Sequence, residues 1–282
     1  MFARAPASSA NLGPGFDTLA VALQLYIEVS VEPSDSFSIT SEGCGAGLFD
    51  DERHLGAVVA SKVLGHWNFS LHVTSSIPLS RGLGSSAALA VAAAAASGAA
   101  DPLALATEVD GHAENASASL LGGLVVASCS ERDGVVARSL PLDLEWRFVV
   151  VVPDQELSTA AARGVLPERV AFSDAVHNLN SLGLLVAGMA DHRAFVRAAM
   201  DDHLHQPYRM GLLGFAPQLL DELCDAGASG SCWSGAGSTM LGLCTPDVAP
   251  TVADAARHFL EREGVAGTVM ILEADRTGLV TR

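Results

Sequence analysis

Residues 78–98 read PLSRGLGSSAALAVAAAAASG, a glycine- and serine-rich turn that runs directly into an alanine-rich stretch. A helix start leaves backbone N–H groups unpaired and carries a partial positive charge. Glycines let the main chain come close to an anion, and serine hydroxyls can meet phosphate oxygens or a magnesium ion. Gly82, Gly84, Ser85 and Ser86 therefore predict a phosphate cradle at the start of a helix ending near Gly98. This is not a Walker A loop, which needs a lysine, and the glycine spacing is not that of G-x-G-x-x-G. On these five or so residues alone, a plain Gly/Ser turn ahead of an alanine helix is an equal alternative.

The rest of the chain limits the possibilities. Its 282 residues are 49% apolar and 17% charged, which suits two fused modules with large cores and argues against disorder. A formal charge of −16 disfavours nucleic acid and anionic membranes as partners, so any phosphate site is a local positive feature in a negative field. Five scattered cysteines without a C-x-x-C suit a reducing cytoplasm rather than a disulfide framework or a zinc site. No basic start followed by an apolar block marks a signal peptide, and the apolar run Ala87 to Ala96 is too short to span a bilayer.

Along the chain, Leu23 to Val31 alternates strictly and predicts a half-buried strand; Phe37 with Ile39 and Leu71 with Val73 repeat the pattern briefly. Asp101-Pro102 starts a capped helix, and LLGGLVVAS turns a helix end into a strand through Gly122-Gly123. Phe148 to Val152, closed by Pro153, predicts a buried strand. Helical spacing follows at Val176 to Met189, Phe195 to Met200 and Gln218 to Leu223, then strands at TMLGLC and TVMILE flank a helix over Val252 to Arg262. The change in composition places a domain boundary near residue 150, giving modules of residues 1–150 and 151–282.

The longer string PLSRGLGSSAA resembles the ATP-binding motif P-x-x-x-G-L-G-S-S-A-A of the GHMP small-molecule kinases at every fixed position from Pro78 to Ala88. PASSANLGPGFD resembles the first motif of that superfamily and SGAGSTMLGL its third. Within the superfamily, PASSANLGPGFDTLAVAL, EVDGHAENASASLLGGLVV, STAAARGVLP and HLHQPYR are similar to segments of the homoserine kinases, and the likeness runs from residue 4 to about 245. The resemblance implies an α+β chain with a ribosomal-protein-S5-like first domain and a ferredoxin-like second one. It also implies MgATP as phosphoryl donor, L-homoserine as acceptor, a place in threonine biosynthesis, a homodimer, and an active site between the domains. Pro78, Arg81, Gly82, Leu83, Gly84, Ser85, Ser86, Ala87 and Ala88 would hold the nucleotide, Ser86 and Asp110 the metal with Glu108 as a rival, and Asn115, Arg163 and Ser86 the chemistry.

The residues make chemical sense for such a substrate. Homoserine offers an ammonium, a carboxylate and a primary hydroxyl. Asp17 can bind the ammonium, and Arg163 and Arg209 can pair two-pronged with the carboxylate. Asn11 and Asn115 can hydrogen-bond the substrate, with His112, Thr159 and Gly235 nearby. Plainer roles stay open: Asp17 as a helix cap, the arginines in surface ion pairs, His112 and His205 as structural histidines, Thr159 as a turn cap. His203 and His205 lack an evident third ligand, so a metal pair there is discounted. No strong base is obvious, which points to direct attack by the substrate hydroxyl with late proton loss.

Three segments depart from the family pattern. E-G-H-P-D-N reads Asp110-Gly111-His112-Ala113-Glu114-Asn115, Ser238 stands where the third motif has proline, and His54 stands for an asparagine. Asp110 is one methylene shorter than glutamate, which alters its reach to a metal. Two other readings stand beside homoserine kinase: a GHMP kinase for another small alcohol, and a non-catalytic ligand-binding homologue.

Overall fold

A computed structural model describes residues 1–282. The first sheet is built from β1 (Phe2–Ala10), β2 (Leu19–Pro33), β3 (Ser38–Gly43), β4 (Phe69–Ser75), β5 (Leu124–Ser130) and β6 (Gly134–Leu140), and the chain end returns to it as β11 (Val280–Thr281). Its main path runs β11-β1-β2-β4-β3, with β5 and β6 attached through β2. β2 is long enough to serve two neighbours: Leu19 to Val21 pair with β5, and Ile27 to Pro33 pair with β4. The alternation read over Leu23 to Val31 is thus one part of a 15-residue strand, with Ile27, Val29 and Val31 buried and Gln24 and Glu28 exposed.

Helices α1 (Leu55–Leu64), α2 (Ser85–Ala96), α3 (Pro102–Asp110) and α4 (Ala113–Leu121) cover this sheet. α2 is the alanine stretch, and it packs against β1, β2, α1, α3 and α4 together. Nine of its twelve residues are buried. A helix enclosed on so many sides needs small side chains with good helix propensity, and alanine meets both demands. Asp101 caps α3 by accepting from the Ala104 N–H at 3.0 Å, with Pro102 in the first turn.

The second sheet opens with β7 (Arg147–Pro153) and continues with α5 (Thr159–Gly164), α6 (Phe172–Ala190), α7 (Gln206–Arg209), α8 (Ala216–Asp225), β8 (Gly230–Trp233), β9 (Met240–Cys244), α9 (Ala249–Glu263) and β10 (Gly267–Leu272). The strand order β10-β7-β9-β8, antiparallel throughout, is the ferredoxin-like arrangement. The unbroken run FVVVV follows from burial of β7 on both faces. Phe148, Val150 and Val152 face the core shared with the first sheet, while Val149 and Val151 face the core under α8 and α9.

The helix read over Phe195 to Met200 is not formed. Phe195 and Val196 are extended, and a short 3-10 turn covers Arg197–Met200. The extended backbone seats the Phe195 ring against Gly188 of α6 and edge-on to Trp146 at 5.2 Å. Tertiary packing overrides the local pattern here.

Candidate active site

The loop before α2 turns through three residues with positive φ: Ser80, Gly82 and Gly84. At Gly82 a Cβ would run into the Ser234 carbonyl, and at Gly84 into the Ser8 hydroxyl. Both glycines are therefore set by space as well as by backbone conformation. Gly84 occupies the N-cap position, and no side chain caps α2. The first-turn N–H groups are left without intrahelical acceptors, a fit for an anion. The Arg81 guanidinium donates to the Pro153 carbonyl from Nε (3.0 Å), to the Asp154 carbonyl from Nη2 (2.6 Å) and to the Leu79 carbonyl from Nη1 (3.1 Å). It fastens the loop to the end of β7.

A cavity of about 330 Å³ lies in front of this loop, between the two sheets. Pro78 and Arg81 to Ser86 line it, as do Asn11, Asp110, His112, Asn115, Thr159, Arg163, Arg209 and Gly235. One flank is lined by Cys44, Phe49, His54, Leu55 and Leu89. His54, read as a departure from the family, caps α1 by accepting from the Gly56 N–H at 3.1 Å. Four expected residues stand elsewhere. Ala87 and Ala88 are fully buried in the body of α2 and do not line the cavity. Glu108 is turned outward to Lys62 at 2.8 Å, on an exposed face of α3, so the metal rival is removed from the cavity wall. Asp17 does not line the cavity itself but grips a residue that does.

That grip is two-pronged. Arg163 Nη2 donates to Asp17 Oδ1 at 2.7 Å and Nη1 to Asp17 Oδ2 at 3.0 Å. The bond to Asp17 raises the Arg163 pKa further above its already high value. Asp17 caps no helix; it sits in a positive-φ turn, where its N–H donates to Asn11 Oδ1 at 2.8 Å. Asn11 Nδ2 donates to the Gly235 carbonyl at 3.1 Å, so the Asn11 amide ties Asp17 to the third motif. Thr159 is the first residue of α5; the cap is Ser158, which accepts from the Ala161 N–H at 3.1 Å.

Arg209 is nearly fully buried at 1% exposure. Its Nη1 donates to the Gly235 carbonyl at 3.0 Å and to His205 Nδ1 at 3.1 Å, and its Nε to the Ala162 carbonyl at 3.3 Å. Burial, with the like charge of Arg163, lowers its pKa to about 10, which leaves it charged at neutral pH. His205 donates from Nε2 to the Gly13 carbonyl at 2.8 Å, and burial holds its ring neutral. That leaves Nδ1 as an acceptor for Arg209. His205 is thus structural and aims an arginine, whereas His203 pairs with Asp174. The Phe16 ring stacks on His205 at 5.0 Å, with Arg209 at 5.3 Å and Arg163 at 5.6 Å from its centre. Both guanidiniums lie within cation–π range of the one Phe16 ring.

His112 stands at the N-cap of α4, with Nδ1 3.2 Å from Asp110 Oδ2; this bond raises its pKa. The sequence marks Glu114 only as a departure from the family pattern, and Ser8 only as part of the first motif, neither as a site residue. Glu114 lines the cavity at 4% exposure, and burial raises its pKa. Ser8 lies beneath the loop, its Oγ donating to Asn115 Oδ1 at 2.9 Å. Both sit inside matched motifs, yet only their spatial neighbours give them meaning.

Family comparisons agree with this architecture. The model for the GHMP kinases N terminal domain matches residues 54–123, and that for the GHMP kinases C terminal matches residues 174–262. The homoserine kinase of Desulfitobacterium hafniense is 35% identical, with 98% of this chain and 97% of the relative covered. That of Rhodococcus erythropolis is 41% identical, covering 90% and 89%. Among solved structures, homoserine kinase from Cytophaga hutchinsonii superposes with a TM-score of 0.87 at 27% identity, covering 99% of this chain and 96% of the other. Mevalonate kinase from L. major shares the fold with a TM-score of 0.73 at 12% identity, covering 97% and 95%. The chain belongs to the GHMP kinases and, within them, to the homoserine kinase family.

Proposed function

We propose that this chain transfers the γ-phosphoryl group of ATP to the side-chain hydroxyl of L-homoserine, giving O-phospho-L-homoserine for threonine synthesis. The observation that carries the reading is the joining, in one cavity, of an uncapped helix start behind two space-limited glycines with Arg163 and Arg209. The first suits a polyphosphate. The second suits a small zwitterion: its carboxylate complements the guanidiniums, and its ammonium complements Asp17, which Arg163 already holds in place. A sugar or isoprenoid alcohol without an amino acid head would bring no carboxylate to these guanidiniums and no ammonium to Asp17.

Phosphoryl transfer needs alignment and charge neutralisation more than covalent help. In this reading the α2 N–H groups and Gly82 to Ser86 hold the phosphates. Arg163, Arg209 and Asp17 fix the amino acid head, and Asn115 orients the substrate. The hydroxyl oxygen bonds to the γ-phosphorus as the β–γ bridge breaks and ADP departs; the hydroxyl proton leaves late, onto a phosphate oxygen. Ser86 and Asp110 line the same cavity and supply the hard oxygen donors that magnesium takes, so they fit as its protein ligands. Bound there, the ion would neutralise phosphate charge.

A coupled ADP-release assay tests the reading, with L-homoserine set against mevalonate and sugar alcohols, with and without Mg²⁺. Turnover with homoserine, dependent on Mg²⁺, is expected. Preference for another alcohol, or nucleotide binding with no turnover, overturns it. The same reading takes the enzyme as a cytoplasmic homodimer. The unpaired apolar face of α6, where Phe172 is 86% and Leu179 68% exposed, supports a second copy, and light scattering on the purified chain checks it. No helix is long and apolar enough to cross a membrane.

A further inference from the structure

We propose that Ser8 is a positioning residue that fixes the side-chain amide of Asn115 against the phosphate loop. The substrate-facing group would then be oriented by the same strand that anchors the nucleotide cradle. This rests on the homoserine kinase reading above.

Ser8 lies near the end of β1 and is fully buried. Its main chain and side chain face different partners. The backbone N–H donates to the Leu83 carbonyl at 3.1 Å, inside the phosphate loop. The hydroxyl donates to Asn115 Oδ1 at 2.9 Å, in the first turn of α4. Gly84 completes the arrangement, because a Cβ there would strike the Ser8 hydroxyl and lie 2.9 Å from Asn115 Oδ1. The loop can close over the serine–asparagine pair only because position 84 has no side chain. The neighbouring serine is tied in as well: Ser234 Oγ lies 2.8 Å from Ser9 Oγ and 2.7 Å from the Gly82 carbonyl. β1 thereby meets the loop, α4 and the third motif at once.

The amide orientation follows from its two neighbours. Asn115 Nδ2 donates to Glu114 Oε1 at 3.2 Å, and Oδ1 accepts from Ser8. Turning the amide over would give up the Nδ2 bond to Glu114 and set Oδ1 against the Glu114 carboxyl oxygen instead. Held this way, Nδ2 uses one hydrogen on Glu114 and keeps the second for the cavity that Asn115 lines. Without the Ser8 hydroxyl, Oδ1 loses its donor and the amide gains freedom to rotate.

Ser8→Ala removes the hydroxyl but keeps the main-chain bond to Leu83. With homoserine, kcat is expected to fall about tenfold, while KM for ATP stays within about twofold. Adding Ser8→Ala to Asn115→Ala should lower kcat no further, since the serine acts through the asparagine. In the ligand-free protein, the Asn115 side-chain amide signal in a nitrogen-15 spectrum, identified by its loss in Asn115→Asp, should shift in Ser8→Ala. Unchanged kcat in Ser8→Ala, independent effects in the double variant, or an unmoved amide signal overturns the inference. If Ser8→Ala does not fold, Ser8→Cys, close in size and a weak donor, carries the same three measurements. If the unaltered enzyme does not phosphorylate homoserine, the function reading fails, and the amide signal alone then decides this one.

Discussion

The two halves of the cavity handle charge by opposite means. On the side proposed for the nucleotide, a short continuous stretch, Gly82 to Ser86, offers main-chain N–H groups at an uncapped helix start, with no lysine in the loop. On the side proposed for the amino acid, charged side chains converge from distant parts of the chain: Asp17 and Arg163 are 146 residues apart, and Arg209 comes from α7. A backbone site depends on the absence of side chains, so its weak points are glycines. A side-chain site depends on the groups that hold its charges in place, so its weak points include residues that never touch the ligand.

This contrast can be broken in order of expected effect. Gly82→Ala puts a methyl into the Ser234 carbonyl and should lower kcat/KM for ATP by about a hundredfold or more. Near-normal kinetics there would show that the loop is not space-limited. Arg209→Ala should raise KM for homoserine about tenfold or more, leave KM for ATP nearly unchanged, and lower the melting temperature. The melting shift is expected because His205 and the Gly235 carbonyl lose a buried donor. Arg209→Lys should not rescue it, since one ammonium cannot reproduce the three fixed bonds of the guanidinium.

Asp110→Asn should raise the Mg²⁺ concentration for half-maximal rate about tenfold, while Glu108→Gln stays within about twofold. The reverse result would move the metal to the face of α3 now occupied by Lys62. The smallest effect is a pH one. The His112 pKa is raised in the folded protein by its bond to Asp110. Its stabilising contribution is complete below about pH 6.5, the unfolded value, and fades as pH rises through the folded value. A slight fall in melting temperature across that window, absent in His112→Gln, is expected from calorimetry.

The turn at Gly82 to Gly84 and the helix start behind it were readable from sequence because their determinants are local: glycines for positive φ, serines, then helix formers. The same holds for the Asp101 cap and for the FVVVV strand. The residues proposed for the amino acid head were readable as a set of motif positions, but not in their mutual geometry. Nothing along the chain says that Arg163 and Asp17 pair with each other, that the Asn11 amide serves the fold, or that His205 is neutral and aims Arg209. Phe195 to Met200 failed as a helix because the demand of Trp146 and Gly188 for the Phe195 ring lies outside any local window. Glu108 and Asp110, two residues apart on one helix, differ in fate because a turn of α3 sends one to solvent and the other to the cavity.

Sequence by itself determined the family, the two-module α+β plan and the glycine turn ahead of an alanine helix, since each rests on short-range spacing that the chain carries in order. Tertiary structure decided which carboxylate reaches the cavity, which histidine is structural, and that Ser8 underlies Asn115. Those outcomes depend on burial and on hydrogen bonds between residues far apart in the chain, Ser8 to Asn115 across 107 positions and His205 to the Gly13 carbonyl across 192, which exist only once the sheets and helices have closed around them.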